Sequence, residues 1–170
     1  ALTRPLAELD ARFADVPLCV HGTYSRAEVL AALGARSLGQ GTSHREGVFY
    51  DEATDTDVLF VTLDKSSDVY GEAVMYNDYP LDHERFHWES QNNTGPDTPV
   101  GMRYIDRNRE GGVLLFVRER DKSSGQSLPY RLLGPATYVR HTGEKPMAVV
   151  WELEVAMTQR LFDEATRATA

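Results

Sequence analysis

Apolar positions follow a helical spacing at the start of the chain and a strand spacing through its middle. Within Pro5 to Phe13, Leu6, Leu9 and Phe13 are spaced for one helix face. Ser25-Arg26-Ala27-Glu28 is a capping box, in which Ser25 closes the first turn and Glu28 reaches back. It opens a helix over 27–33, with Val29, Leu30 and Leu33 apolar and Gly34 as the stop. From Gly47 the period changes. The β-rich runs 47–50 and 57–63 flank Glu52-Ala53-Thr54-Asp55-Thr56, a hairpin signal. Phe86-His87-Trp88-Glu89-Ser90-Gln91 alternates as a strand, and residues 92–99 hold turn formers without an apolar side chain. Thr98 and Pro99 are placed to start a short helix through Tyr104. Val113 to Val117 reads as a buried strand, followed by strands at 130–133, 137–140 and 147–153, the last two joined by a turn over 141–146. A helix over 158–168 presents Leu161, Phe162 and Ala165. The expectation is one α+β domain over 1–170. Its parts are a helical N-terminal part (1–36), a β-rich core (45–155) built as a mixed, barrel-like sheet, and a C-terminal helix (158–168).

Composition narrows the function classes. With 170 residues, 41% hydrophobic, the chain can bury one core. No run of 18 apolar residues exists, so no membrane-spanning helix is expected. Arg4, Glu8 and Asp10 make the first ten residues unlike a signal peptide. The lone Cys19 excludes an internal disulfide and multi-cysteine zinc sites, so a cytoplasmic location is the expectation. The net charge of −8 argues against a generic basic clamp for nucleic acid. It is unevenly spread, however: residues 101–150 hold 9 Lys/Arg against 5 Asp/Glu. That surplus leaves room for an anionic partner on one face.

Catalysis is not indicated. His83 and His87 stand at i, i+4, but on a strand that spacing separates them by roughly 13 Å, too far to share a metal. Cys19, between Leu18 and Val20, has no thiolate-stabilising neighbour and reads as a small buried hydrophobe. Gly39-Gln40-Gly41 opens no apolar helix and is a loop rather than a phosphate cradle. Neither metal nor other cofactor is expected. The richer constellation runs from Tyr76 to Thr94, where four aromatics (Tyr76, Tyr79, Phe86, Trp88) alternate with amides and hydroxyls. Aromatic faces stack on planar bases, and Asn, Gln and Asp carry the donor and acceptor sets that read base edges. Phe86 and Trp88 share a strand face, which gives Trp88 a competing place in the core.

Several blocks carry a family resemblance. They are Tyr24-Ser25-Arg26-Ala27-Glu28, Arg45-Glu46-Gly47-Val48-Phe49-Tyr50, Leu59 to Ser66, Met75-Tyr76-Asn77-Asp78-Tyr79, Phe86 to Gln91, Leu114 to Arg118 and Leu133 to Val139. In this order, from about Tyr24 to Leu153, the chain resembles the C-terminal domain of unknown function of phospholipase-D-nuclease–helicase fusions. Those fusions include type IV restriction enzymes that cut DNA carrying 5-methylcytosine or 5-hydroxymethylcytosine. The resemblance implies the target-recognition part of such a system, with a fold like the SET- and RING-associated barrels that flip a modified base into a pocket. Nuclease and helicase are absent from this chain, so cleavage is not implied.

The resulting expectation is a non-enzymatic reader of modified double-stranded DNA, 5-methylcytosine first, using base flipping. Tyr76, Asp78, Tyr79, His87, Trp88 and Gln91 are the expected base-reading residues. Arg103, Arg107 and Arg109 are the expected phosphate contacts. Tyr24, Phe49 and Tyr50 are the next aromatic candidates. The rival expectation is a protein-interaction module that docks a nuclease or helicase partner, which suits the acidic first hundred residues. A hydrolase lacks a nucleophile–base pair in this sequence.

Overall fold

The computed structural model describes residues 7–13, 15–34, 47–64 and 77–170. Tyr76, Gly39-Gln40-Gly41 and the ends of the blocks at 65–66 and 75–76 lie outside the described residues, as do residues 1–6.

The first element departs from expectation. Instead of a helix over 5–13, Glu8 bridges to Cys19 in antiparallel fashion, and a single 3-10 turn follows at Ala11–Phe13. Asp10 is the reason. Its carboxylate accepts from the Arg12 backbone N–H and guanidinium, which satisfies the turn locally and competes with helix propagation. Cys19 is half-buried rather than buried.

β1 (Thr23–Tyr24) leads into α1 (Arg26–Ala32), where the Ser25–Glu28 capping box forms in both directions. Gly34, at φ 69°, ends the helix and donates its N–H to the Ala31 carbonyl. β2 (Val48–Asp51) and β3 (Thr56–Thr62) pair antiparallel around the expected turn. β4 (Tyr79–Pro80) and β5 (Arg85–Glu89) follow, then α2 (Pro99–Ile105), capped by Thr98 with Pro99 at its start. β6 (Gly112–Arg118) is the apolar run. A small exposed hairpin, β7 (Lys122–Ser123) with β8 (Gln126–Ser127), precedes β9 (Tyr130–Thr142). β9 joins the two strands expected at 130–133 and 137–140. Gly134, at φ 115°, carries the chain through the irregularity between them. β10 (Ala148–Leu153) and α3 (Gln159–Ala168), capped by Thr158, complete the chain.

Among the described residues one eight-stranded mixed sheet forms, in the order β2-β3-β6-β9-β10-β5-β4, with β1 added to β9. β3 and β6 are parallel, and the other pairs in the sheet are antiparallel. The α+β class stands, but the sheet does not close into a barrel. Its ends are β2 and the two-residue β4, whose Pro80 has no N–H to offer a further strand.

Each face has its own core. α2 and α3 cover one face, packing Tyr104, Leu161 and Ala165 against Leu59, Leu115, Leu133, Trp88 and Trp151. The N-terminal segment and α1 cover part of the other, with Phe13, Leu18 and Val29 against Phe60, Leu114 and Leu132. The remaining part of this second face belongs to β9, β10, β5 and β4.

Candidate functional site

Strand register places the aromatic segment. Phe86 and Trp88 point into the core with α2, so the alternate residue His87 belongs to the opposite face. Cross-strand partners share a face, which sets Tyr79, His87, Val150 and Arg140 in one row across β4, β5, β10 and β9. Three strand spacings separate its ends, about 14 Å. The flanking rows are Arg85–Glu152–Thr137 and Glu89–Ala148–Thr142. Arg85, Thr137, Arg140, Thr142 and Glu152 are all exposed.

Tyr79 is 38% exposed and stacks on the His87 ring, with centroids 4.5 Å apart and planes 13° from parallel. His87 Nδ1 lies 2.8 Å from the Asn77 carbonyl oxygen. A carbonyl only accepts, so Nδ1 carries the proton, and Nε2 of the neutral ring is left as an acceptor. Asp78 is buried, and its Oδ1 accepts from the Glu89 N–H at 2.9 Å. That bond anchors β4 beside β5. Gln91 is half-buried at the start of the polar loop, where its carbonyl accepts from the Thr94 N–H and the Ser90 hydroxyl.

Trp88 takes the competing place in the core. It is 4% exposed and meets Tyr104 edge-on at 5.3 Å, with Trp151 6.1 Å away. The strand alternation that exposes His87 is what buries it.

The three expected phosphate contacts all have partners within the molecule. Arg103 Nε and Nη2 both donate to the buried Asp57, each at 2.8 Å. Its guanidinium also lies 3.6 Å from the centroid of the Tyr50 ring. The Arg109 side chain is only 6% exposed and bridges Asp55 at 3.0 Å and Asp57 at 2.8 Å. Arg107 donates to the carbonyls of Tyr138 and Val139 while lying over the Tyr138 ring. All three side chains tie α2 and the loop after it to the sheet. Of the basic residues in 101–150, Arg103 and Arg109 are thus paired inside the molecule with Asp55 and Asp57.

The same cluster sets the perturbed ionisations. Burial works against the Asp55 charge, but hydrogen bonds from Arg109, Tyr50 and Gly111 outweigh it and hold the carboxyl below its usual range. The Tyr50 phenol donates to Asp55 at 2.9 Å, and that bond raises its pKa, with burial adding to it. Tyr104 is pushed up by burial and by the Asp57 charge. The Asp57 anchor carries no sequence signal of its own, although Tyr50 was among the aromatic alternatives.

His83 and His87 do not converge: His83 stacks on Phe162 and bonds Gln159, at the start of α3. Among the described residues no group of three His, Cys, Asp or Glu is arranged to hold a metal ion, and no helix is long and apolar enough to cross a membrane.

An α+β domain with an open mixed sheet, on which Tyr79 stacks against a partly exposed His87, is the class that fold and site define. The chain belongs to the family described as Domain of unknown function (DUF3427), whose sequence profile matches residues 18–165. No curated protein and no solved structure matches it.

Proposed function

We propose that this domain binds duplex DNA carrying a modified base, 5-methylcytosine first, and that it does so on the open part of the sheet. The observation that carries the reading is the exposed Tyr79–His87 stack in one row with Arg140. Tyr79 offers a stacking face to an extruded base, an interaction worth about 1–3 kcal/mol. His87 Nε2 supplies an acceptor for an exocyclic amine. Arg140 is exposed, has no ion-pair partner among the described residues, and supplies a phosphate contact at the far end of the row. The C5 methyl adds about 0.8 kcal/mol when buried, too little alone, so discrimination needs stacking and edge contacts together. The resemblance of the sequence blocks to restriction-system fusions supports the same reading, with cleavage supplied by other domains.

The test is a gel-shift panel of matched duplexes with cytosine, 5-methylcytosine, 5-hydroxymethylcytosine and N6-methyladenine. Tyr79→Ala should keep its melting temperature and lose the methylated-over-plain affinity ratio. An unchanged ratio in folded Tyr79→Ala would remove the row from the site. No salt-dependent duplex binding by the native chain would favour the docking of a protein partner instead, for which the exposed Met102 of α2 is the first surface to probe.

A further inference from the structure

A cleft of about 200 Å³ lies beneath α3, between its inner face and the adjoining ends of β3, β6 and β9. It opens on the face of the sheet that carries the helices, opposite Tyr79 and His87. Strand register gives it a polar end and an apolar end. Thr23 of β1 stands opposite Arg131 of β9, Arg131 opposite Val117 of β6, and Val117 beside Val61 of β3. Cross-strand partners share a face, so a hydroxyl and a guanidinium at one end of this row give way to valines at the other. Leu63, Leu133, Met157 and Leu161 continue the apolar wall.

Arg131 decides what the polar end can take. Its side chain is half-buried, and Nη1 donates to the His21 carbonyl at 2.6 Å. It has no carboxylate partner among the described residues. A neutral carbonyl cancels none of the net charge, so the cation keeps its field in a place with little water to screen it. That field reaches His21, whose pKa is lowered by burial first and by Arg131 second. The Thr23 hydroxyl, across the strand pair, is exposed and likewise without a partner among the described residues. The other guanidinium of the lining differs: Arg118 pairs with Asp121 at 2.8 Å and donates to the Thr62 hydroxyl at 2.8 Å. Glu119 and Glu164 complete the lining, the first exposed and the second held by Arg160 at 3.0 Å.

We propose that this cleft binds a small organic monocarboxylate, with its carboxylate on Arg131 and Thr23 and its apolar body on the wall beneath α3. The His21 carbonyl leaves Nε and Nη2 of Arg131 free, the pair that meets a carboxylate with two parallel bonds. The Thr23 hydroxyl adds a third donor. Sites for drug-sized ligands run to roughly 300–1,000 Å³, so this volume suits a body of a few carbon atoms. One unpaired cation matches one negative charge. Glu119 and Glu164 repel a second, which sets a monocarboxylate above a phosphate monoester of the same body. The site is independent of the Tyr79 row, which lies on the opposite face of the sheet.

Methyl-¹³C methionine spectra of the full chain test it, since Met157 lines the cleft and Met102 is exposed elsewhere, on α2. Titration with 4-methylpentanoate should shift the Met157 methyl saturably and leave Met102 in place. The uncharged analogue, 4-methylpentanamide, should bind at least about tenfold more weakly, the loss expected when charge-assisted bonds become neutral ones. The phosphate monoester of 3-methylbutanol should also bind more weakly than the acid. Saturation with the acid should raise the His21 pKa, read from its imidazole resonances, because the bound anion offsets the Arg131 charge. Arg131→Gln should bring the acid down to the affinity of the amide and leave the amide unchanged. Thr23→Val, at an exposed strand position, should keep the fold and weaken the acid about threefold or more, and it carries the test if Arg131→Gln does not fold. Leu161→Trp, at the half-buried mouth, should abolish the shift. Met157 unmoved by the acid, equal binding of the amide, or tighter binding of the phosphate ester overturns the proposal. Native affinity for the acid in folded Arg131→Gln, or in Thr23→Val, does so as well.

Discussion

Arg109 touches two carboxylates at once and holds both within the sheet-facing side of α2. Breaking such a pair leaves a charge buried without compensation, which costs about 3–5 kcal/mol. Arg109→Ala should therefore lower stability to chemical denaturation by that amount. Any loss of DNA affinity should then track the unfolded fraction. A fully stable Arg109→Ala chain with a reduced salt slope would return the residue to the phosphate interface. His21 makes a different prediction. It sits at φ 70° with its Nε2 buried and without a hydrogen-bond partner, and its pKa is lowered by burial and by the nearby Arg131. The unfolded chain binds this proton more readily than the folded one. Stability should therefore fall as pH drops below about 6.5 and be retained above it. His21→Asn tolerates the left-handed backbone, and should flatten this part of the pH–stability curve. An unaltered curve would assign the acid sensitivity to other groups.

At the scale of elements, short-range signals decide where helices begin and register decides what each strand shows. The Ser25 hydroxyl accepts from the Glu28 N–H, and Glu28 returns the bond to the Ser25 N–H. Ser25→Ala should cost about 1 kcal/mol, measured by thermal melting, because α1 has only seven residues to spread the loss over. Val29 and Leu30 are buried, and Val29 packs with residues of β3 and β6, so fraying of α1 would loosen the second core as well. β5 follows the opposite logic. A single strand places Trp88 inside and His87 outside, so a dense aromatic segment divides between core and surface by parity alone. Sequence alternation exposed the competing role of Trp88. It did not show that Asp78, expected at the base-reading site, is buried and accepts from the Glu89 N–H on the neighbouring strand.

For the whole molecule, charge is a matter of what remains after internal pairing. The chain is acidic, at −8, and its arginines at 103 and 109 are paired with Asp55 and Asp57. Binding to a polyanion then depends on a few exposed cations such as Arg140 and Arg85. Arg140→Ala should weaken methylated and plain duplexes alike and reduce the slope of log affinity against log salt by about 1. An unaltered slope would place the phosphate path elsewhere. The open sheet supports this division of labour: helices fill one face, the N-terminal segment and α1 part of the other, and Tyr79 and Arg140 are exposed at the two ends of the row that crosses the rest.

What the sequence by itself determined is what neighbouring residues can settle between themselves. The capping box at 25–28, the Gly34 stop, the turn at 52–56, the Thr98–Pro99 start of α2 and the β-rich middle all depend on bonds or periodicities that span a few positions. The N-terminal helix failed for the same local reason, because Asp10 closes a tighter turn on Arg12. Tertiary structure alone decided the fate of the arginines and the openness of the sheet. Arg103 meets Asp57 across 46 positions, Arg109 meets Asp55 across 54, and Arg107 meets Tyr138 across 31. Tyr79, His87 and Arg140 became one row only through three strand pairings. Side-chain type and spacing say that a guanidinium will seek an anion or a carbonyl. Which one it reaches depends on the parallel pairing of β3 with β6 and the packing of α2, and those are set by burial of the core as a whole.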